Sequence, residues 1–395
     1  MTSISELRES ILDVYVDSIQ DKGSMHIFMK ECATGYLHSF YMRALIAEWK
    51  RTRSEKYLDA AKAWVEFSIS LQGTYGDPAA FNMGYLYETK DNIPGNWFIA
   101  DTLDQAYGML NVAAALDPHD PLYIRILDSV LRYDKYIQQW FLGTEGFAVG
   151  YLDGEYSVKN AYHTAGSRGV SYYAAMYKVF GKEVFREKGL ALLEYVLNKL
   201  DFDSNFHGSP LHNRSYVSDS LVCAYYVLAH DDQALRIRIK DKMSKEIIPW
   251  AILNQTEDGF WPHDRFGHQP GAMRKIDKSE MGPYSWGMTS GIEVFAKFIL
   301  PPDPKVETML DRAYTWLENN LVVGDINRWG YHSWAILAII ARLSPESLFP
   351  FGNCLQSQKK DIIQEGKDKK SVRVEKIHSL TSDALKYGVF AENAS

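Results

Sequence analysis

The chain lacks most of the features that commit a protein to a familiar chemistry. It has only three cysteines in 395 residues, Cys32, Cys223 and Cys354. They are far apart, odd in number and without metal-ligand spacing, so neither a disulfide framework nor a cysteine-built metal site is expected. They read instead as reduced thiols of a cytoplasmic protein. Positive charge is not in excess: the formal net charge is −7, which removes the electrostatic footprint of a nucleic-acid binder. No stretch reaches the ~18 uncharged apolar residues of a membrane span. Met1–Arg8 carries charge where a secretory leader needs an apolar run. Gly-rich phosphate loops, H-E-x-x-H and G-x-S-x-G are all missing. His207 and His212 stand five apart in a Gly/Pro/Asn-containing loop, which is not a zinc pattern. The expectation is no cofactor, no metal, no nucleic acid and no membrane. A small molecule or an oligosaccharide remains as the partner, and the oligomeric state is left open.

What the chain does have is hydrophobic mass and aromatic rings. Hydrophobic residues make up 46%, enough for a large core, and there are 25 Tyr, 18 Phe and 10 Trp. Two kinds of helix alternate. One kind, over about 34–49, 98–116, 162–179, 215–229, 285–299 and Trp329–Leu343, is apolar and rich in small residues. The other, over about 4–20, 55–71, 121–141, 183–200, 233–253 and 304–321, carries a single apolar stripe. Helices apolar all round must be buried, and striped ones pack on one side only. Tyr57, Tyr123 and Phe185 recur at about 60–65 residues, each after a short polar turn, as a helix-hairpin repeat would place them. The pattern predicts an all-α (α/α)6 toroid of six inner and six outer helices, with no competing run of strand-like alternation. The toroid is expected over residues 1–350. Residues 351–395 are expected to form a charged peripheral appendage, with one short helix near 378–387.

In such a ring the loops entering the inner helices gather at one end. Here they are long and rich in Gly and aromatics, over 72–97, 142–165, 201–214 and 254–284, and long loops in a compact domain usually carry function. The helix that opens after Trp97 bears Asp101 and Asp104 one turn apart, projecting in roughly the same direction. Asp also favours helix N-termini as a cap, so these carboxylates are either caps or an acid pair. Arg168, beside Gly169, can present a bidentate fork to a carboxylate. His163 and Tyr172 stand in the same helix opening. Trp261 and His263 lie in an exposed aromatic turn. Tyr284 and Trp286 share a Gly-rich helix start, and His332 opens the last inner helix.

The order of these motifs resembles the unsaturated glucuronyl and unsaturated rhamnogalacturonyl hydrolases. Trp97-Phe98-Ile99-Ala100-Asp101 resembles their first inner-helix motif. Ser167-Arg168-Gly169-Val170-Ser171-Tyr172 resembles the second, and Trp286-Gly287-Met288-Thr289-Ser290 the third. The resemblance implies an enzyme that hydrates the C4=C5 vinyl ether of a terminal unsaturated uronic acid. It implies Asp101 or Asp104 as the proton donor, Arg168 holding the uronate carboxylate, and Trp97, Trp261 and Trp286 stacking on sugar faces. A second resemblance runs from Trp250 to Trp261, to the Q-W repeat of terpenoid cyclases, which also build aromatic-lined α-toroids. A third possibility is a catalytically silent toroid that binds glycans or a protein.

Overall fold

The computed structural model describes residues 2–22, 35–73, 97–152, 155–203, 210–262, 284–321, 323 and 329–344. Among them are twelve helices. They are α1 (Ile4–Lys22), α2 (Gly35–Thr52), α3 (Glu55–Leu71), α4 (Ile99–Ala113), α5 (Pro121–Ile137), α6 (His163–Phe180) and α7 (Glu183–Asn198). Then come α8 (Pro210–Cys223, widening into a π turn over Ala224–Leu228) and α9 (Gln233–Lys242, a π turn over Met243–Ile247, then Ile248–Asn254). The last three are α10 (Tyr284–Phe298), α11 (Pro304–Asn320) and α12 (Trp329–Leu343). The even-numbered helices pack each on the next, and α12 packs back on α2, which closes an inner ring. The odd-numbered helices lie outside it, with α1 against α12. This is the (α/α)6 toroid that the alternation predicts.

Local chemistry sets the elements. In α5, Asp120 caps by accepting from the Leu122 amide at 2.8 Å, Pro121 opens the first turn, and Leu122, Ile126, Val130, Tyr133 and Ile137 form the buried stripe. Asp232 and Asp303 cap α9 and α11 in the same way. The inner helices need no stripe: His163–Met176 of α6 is buried without a break, and in α4 every residue but Asp101 is buried. Close approach within the ring depends on glycine. A Cβ on Gly287 would stand 2.2 Å from Ser215 Oγ and 2.3 Å from the Trp334 ring, so α8, α10 and α12 can meet only because that Cβ is missing.

Two expectations need correction. The segment before the second Arg-bearing helix, expected as loop, holds a hairpin, β2 (Ala148–Leu152) and β3 (Glu155–Ala161), joined by Asp153-Gly154. Such a dipeptide favours a two-residue hairpin turn. β1 (Trp97–Phe98) pairs antiparallel with β2, Trp97 opposite Tyr151, and runs directly into α4. In addition, α8 begins at Pro210 rather than near 215. Its first turns, Leu211-His212-Asn213-Arg214-Ser215, are mostly polar and read as loop, yet all five are buried, with Arg214 packed on Phe202 and on Trp250 of α9. The short helix expected near 378–387, and the appendage of 351–395 as a whole, lie outside the described residues.

Candidate functional site

Short connections join each inner helix to the outer helix that follows, so the long segments all enter the inner helices at their N-terminal end. At that end α4 presents Asp101, the one residue of the helix that is not buried. Asp104 lies one turn deeper and is 1% exposed. Arg168 comes at the same depth from α6, about 7 Å below the helix start at 1.5 Å per residue. Asp219 of α8 and Arg43 of α2 lie lower, about 12–13 Å down.

These four buried groups form one chain of charge. Arg43 donates from both terminal nitrogens to the Asp219 carboxylate at 3.0 Å. Arg168 Nη1 donates to the other side of Asp219 at 2.7 Å. Arg168 Nε is 2.8 Å from Asp104 Oδ1, a close ion pair without the alignment of a hydrogen bond. Aromatic rings enclose the guanidinium: its carbon is 4.3 Å from the ring centre of Tyr216, 5.3 Å from Phe40 and 5.6 Å from Trp334. The guanidinium lies over these rings, whose electron-rich faces attract a cation. Beneath them Tyr107 lies 5.7 Å from Arg43, and its hydroxyl is 3.3 Å from Cys223 Sγ.

The two carboxyls of the chain have opposite proton affinities. Burial would raise Asp219, but Arg43 and Arg168 outweigh it and hold that carboxyl below its ordinary value. At Asp104 burial is the dominant effect. Arg168, already engaged by Asp219, offsets it only partly, and the negative charge of Asp101 adds to it, so Asp104 is pushed up to about 8. A carboxyl that keeps its proton at neutral pH therefore lies directly beneath one that faces the ring mouth. Because the two are neighbours on a helix, protonation belongs to the pair rather than to either residue alone.

The structure brings Asp101, Asp104 and Arg168 together, but it engages His163, Tyr172, Trp261 and Trp286 elsewhere. Tyr172 packs edge-on against Tyr133 of α5, and His163 Nδ1 is 2.5 Å from the Tyr195 hydroxyl of α7, both in the outer ring. Trp286 packs 5.8 Å from Trp316 of α11. Trp261 is buried and donates its indole N–H to the Ala251 carbonyl at 2.9 Å. Trp97 lies on β1, Tyr284 opens α10 and His332 lies in the first turn of α12. The side chains of these three, and the whole of His263, lie outside the described residues. Sequence reasoning missed Arg43, Asp219, Tyr216 and Phe40. The signal was present: Arg43 and Asp219 are single charges in the interior of otherwise uncharged, fully buried helix segments, where an ion needs a partner. Among the described residues no group of three or more His, Cys, Asp or Glu is placed to hold a metal ion, and no helix is long and apolar enough to cross a membrane.

No family model and no curated protein matches the chain. Solved structures do. A glycosyl hydrolase of family 88 from Bacteroides vulgatus has a TM-score of 0.55 at 14% identity, covering 86% of this chain and 99% of that one. The GH76A α-1,6-mannanase of a Salegentibacter species has a TM-score of 0.57 at 12% identity, covering 87% and 100%, and an inactive variant of it is solved with α-1,6-mannotriose. Cellobiose 2-epimerase from Bacillus thermoamylovorans has a TM-score of 0.51 at 11% identity, covering 78% and 87%. At these identities the likeness is one of fold.

Proposed function

We propose that the chain is a carbohydrate-active enzyme that binds an oligosaccharide end in the mouth of its toroid, with the Asp101–Asp104 pair as proton donor. The observation that carries this is the pairing itself: a mouth-facing carboxylate stacked on a buried carboxyl that retains a proton near pH 8. Glycan-processing neighbours of the same fold supply the substrate class.

Within that class the arrangement fits one reaction best. Ordinary glycoside hydrolysis uses two carboxyls on either side of the bond, about 5–10 Å apart. Among the described residues, the first turns of the other five inner helices carry no acid. A reaction with a single donor suits that distribution. Hydration of the C4=C5 vinyl ether in a terminal unsaturated uronic acid is such a reaction, and the motif order resembles the enzymes that perform it. The pair gives a proton to C4 while water forms the bond at C5. The water's surplus proton returns to the pair, and the hemiketal opens to release the next sugar. Asp101 meets the substrate in this reading, and Asp104 keeps the pair singly protonated. Arg168, first expected to hold the uronate carboxylate, is committed to two aspartates and three rings, so we assign it to the pair instead. The same enclosure weakens the cyclase alternative, because a cation already occupies the axial aromatics.

The test is an unsaturated uronic-acid disaccharide followed by loss of its ultraviolet absorbance. The expected result is turnover that falls about 10²-fold or more in Asp101→Asn, the scale for removing a general acid. Undiminished absorbance, with cleavage of a saturated α-1,6-mannoside in its place, would assign the site to ordinary hydrolysis.

A further inference from the structure

The lower half of the charge chain lies too deep to meet a substrate, yet it is built with more hydrogen bonds than the upper half. Asp219 accepts three from Arg43 and one from Arg168, whereas Asp104 has only the misaligned contact with Arg168 Nε. Among the described residues Arg168 Nη2 has no acceptor, and neither Asp104 oxygen accepts a hydrogen bond. With Nη1 held on Asp219, Arg168 approaches Asp104 through Nε alone and out of line, so the side-on fork of Nε and Nη2 that could grip that carboxyl is not made. We propose that Asp219, with Arg43 behind it, is a positioning group: it holds Arg168 in an orientation that keeps its Nε–Nη2 fork from closing on Asp104. This rests on the assignment of the site's proton to Asp104 made above.

The charged groups acting on Asp104 come from four inner helices: Arg168 on α6, Asp219 on α8, Arg43 on α2 and Asp101 on its own helix. Removing either member of the lower pair alters the competition for Arg168, and the two removals act in opposite senses. Without the Asp219 charge, Arg168 is free to neutralise Asp104, which should then ionise more readily. Without the Arg43 charge, Asp219 relies on Arg168 alone, and Asp104 should hold its proton more firmly.

The experiment is a carbon-13 NMR titration of the full chain labelled at the aspartate carboxyls, with the Asp104 signal identified by its loss in Asp104→Asn. Asp219→Asn is expected to lower the Asp104 midpoint by about one pH unit or more. Arg43→Gln is expected to raise it, and Asp219→Glu to keep it near the wild-type value. A purely structural role for Asp219 would weaken folding without moving the two midpoints apart. Midpoints that stay fixed, or that shift in the same direction, overturn the proposal. If Asp219→Asn does not fold, Arg43→Gln decides alone, and a fixed or lowered midpoint there is the refuting result. No substrate is needed, so failure of the hydration chemistry would show separately in the absorbance assay.

Discussion

Replacing Asp104 with Asn should make the protein more stable, and increasingly so as pH rises. Native Asp104 holds its proton up to about pH 8, whereas the unfolded chain releases it near the ordinary value of about 3.9. Between those limits the native state binds one proton more than the unfolded state. Raising the pH therefore lowers the unfolding free energy, by about 1.4 kcal/mol per pH unit. The stability tied to this group is fully present below about pH 4 and is lost on approach to pH 8, to an upper limit of about 6 kcal/mol. Asn keeps the shape, carries no proton and has no such slope. Thermal melts of both proteins from about pH 4.5 to 8 should diverge. The variant should gain up to about 8 °C over the wild type at the alkaline end, at about 1.4 °C per kcal/mol for a body of this size. A constant gap, or a variant that loses ground as pH rises, would mean that Asp104 is ionised in the native state and that the proton-holding role is wrong. The same variant should lose turnover by about 10²-fold.

Asp101→Asn should leave the melting temperature within a few degrees, because its side chain is not buried and an amide can still cap the helix; a large drop would make it a structural cap. Arg168→Lys should cost about 1–3 kcal/mol in a denaturant titration without substrate, since one ammonium cannot reach both Asp219 and Asp104 and leaves buried polar groups unmatched. A loss confined to KM would return Arg168 to substrate binding. Gly287→Ala should cost about 1–3 kcal/mol by the same titration, because its Cβ lands 2.2 Å from Ser215 Oγ and 2.3 Å from Trp334. Unchanged stability there would show that α10 shifts freely.

Much of the ring was legible in the sequence. Helices buried on all sides differ in composition from helices with one stripe, and that contrast survives any uncertainty about contacts. The same property hid detail within the inner helices. Trp286 and Tyr172 are as buried as Arg168, and sequence does not say whether a buried side chain faces the axis or the outer ring. Trp316 and Tyr133 hold the first two outward. His212, Asn213 and Arg214 read as loop because polarity usually means exposure, and here they are buried. Asp104 and Arg168 are both singled out by the sequence on inner helices, but their pairing is not, since the fork of Arg168 is expected there to hold a substrate carboxylate. Asp219 and Arg43 escaped because the motifs drew attention to the helix starts, and the network continues below them.

The Arg43–Asp219 contact joins residues 176 positions apart, and Asp219 also holds Arg168, 51 positions before it. During synthesis the first six helices emerge bearing two arginines whose shared counter-ion has not yet been made. Closing that part of the ring early would strand Arg43 in an apolar interior, at about 3–5 kcal/mol for the uncompensated charge, and would leave Arg168 with Asp104 alone. The N-terminal half is thus kept from settling into a stable ring fragment of its own. Arrival of Asp219 removes the penalty on Arg43 and takes up Arg168 at the same time, so the inner circle should assemble in one late, cooperative step rather than hairpin by hairpin.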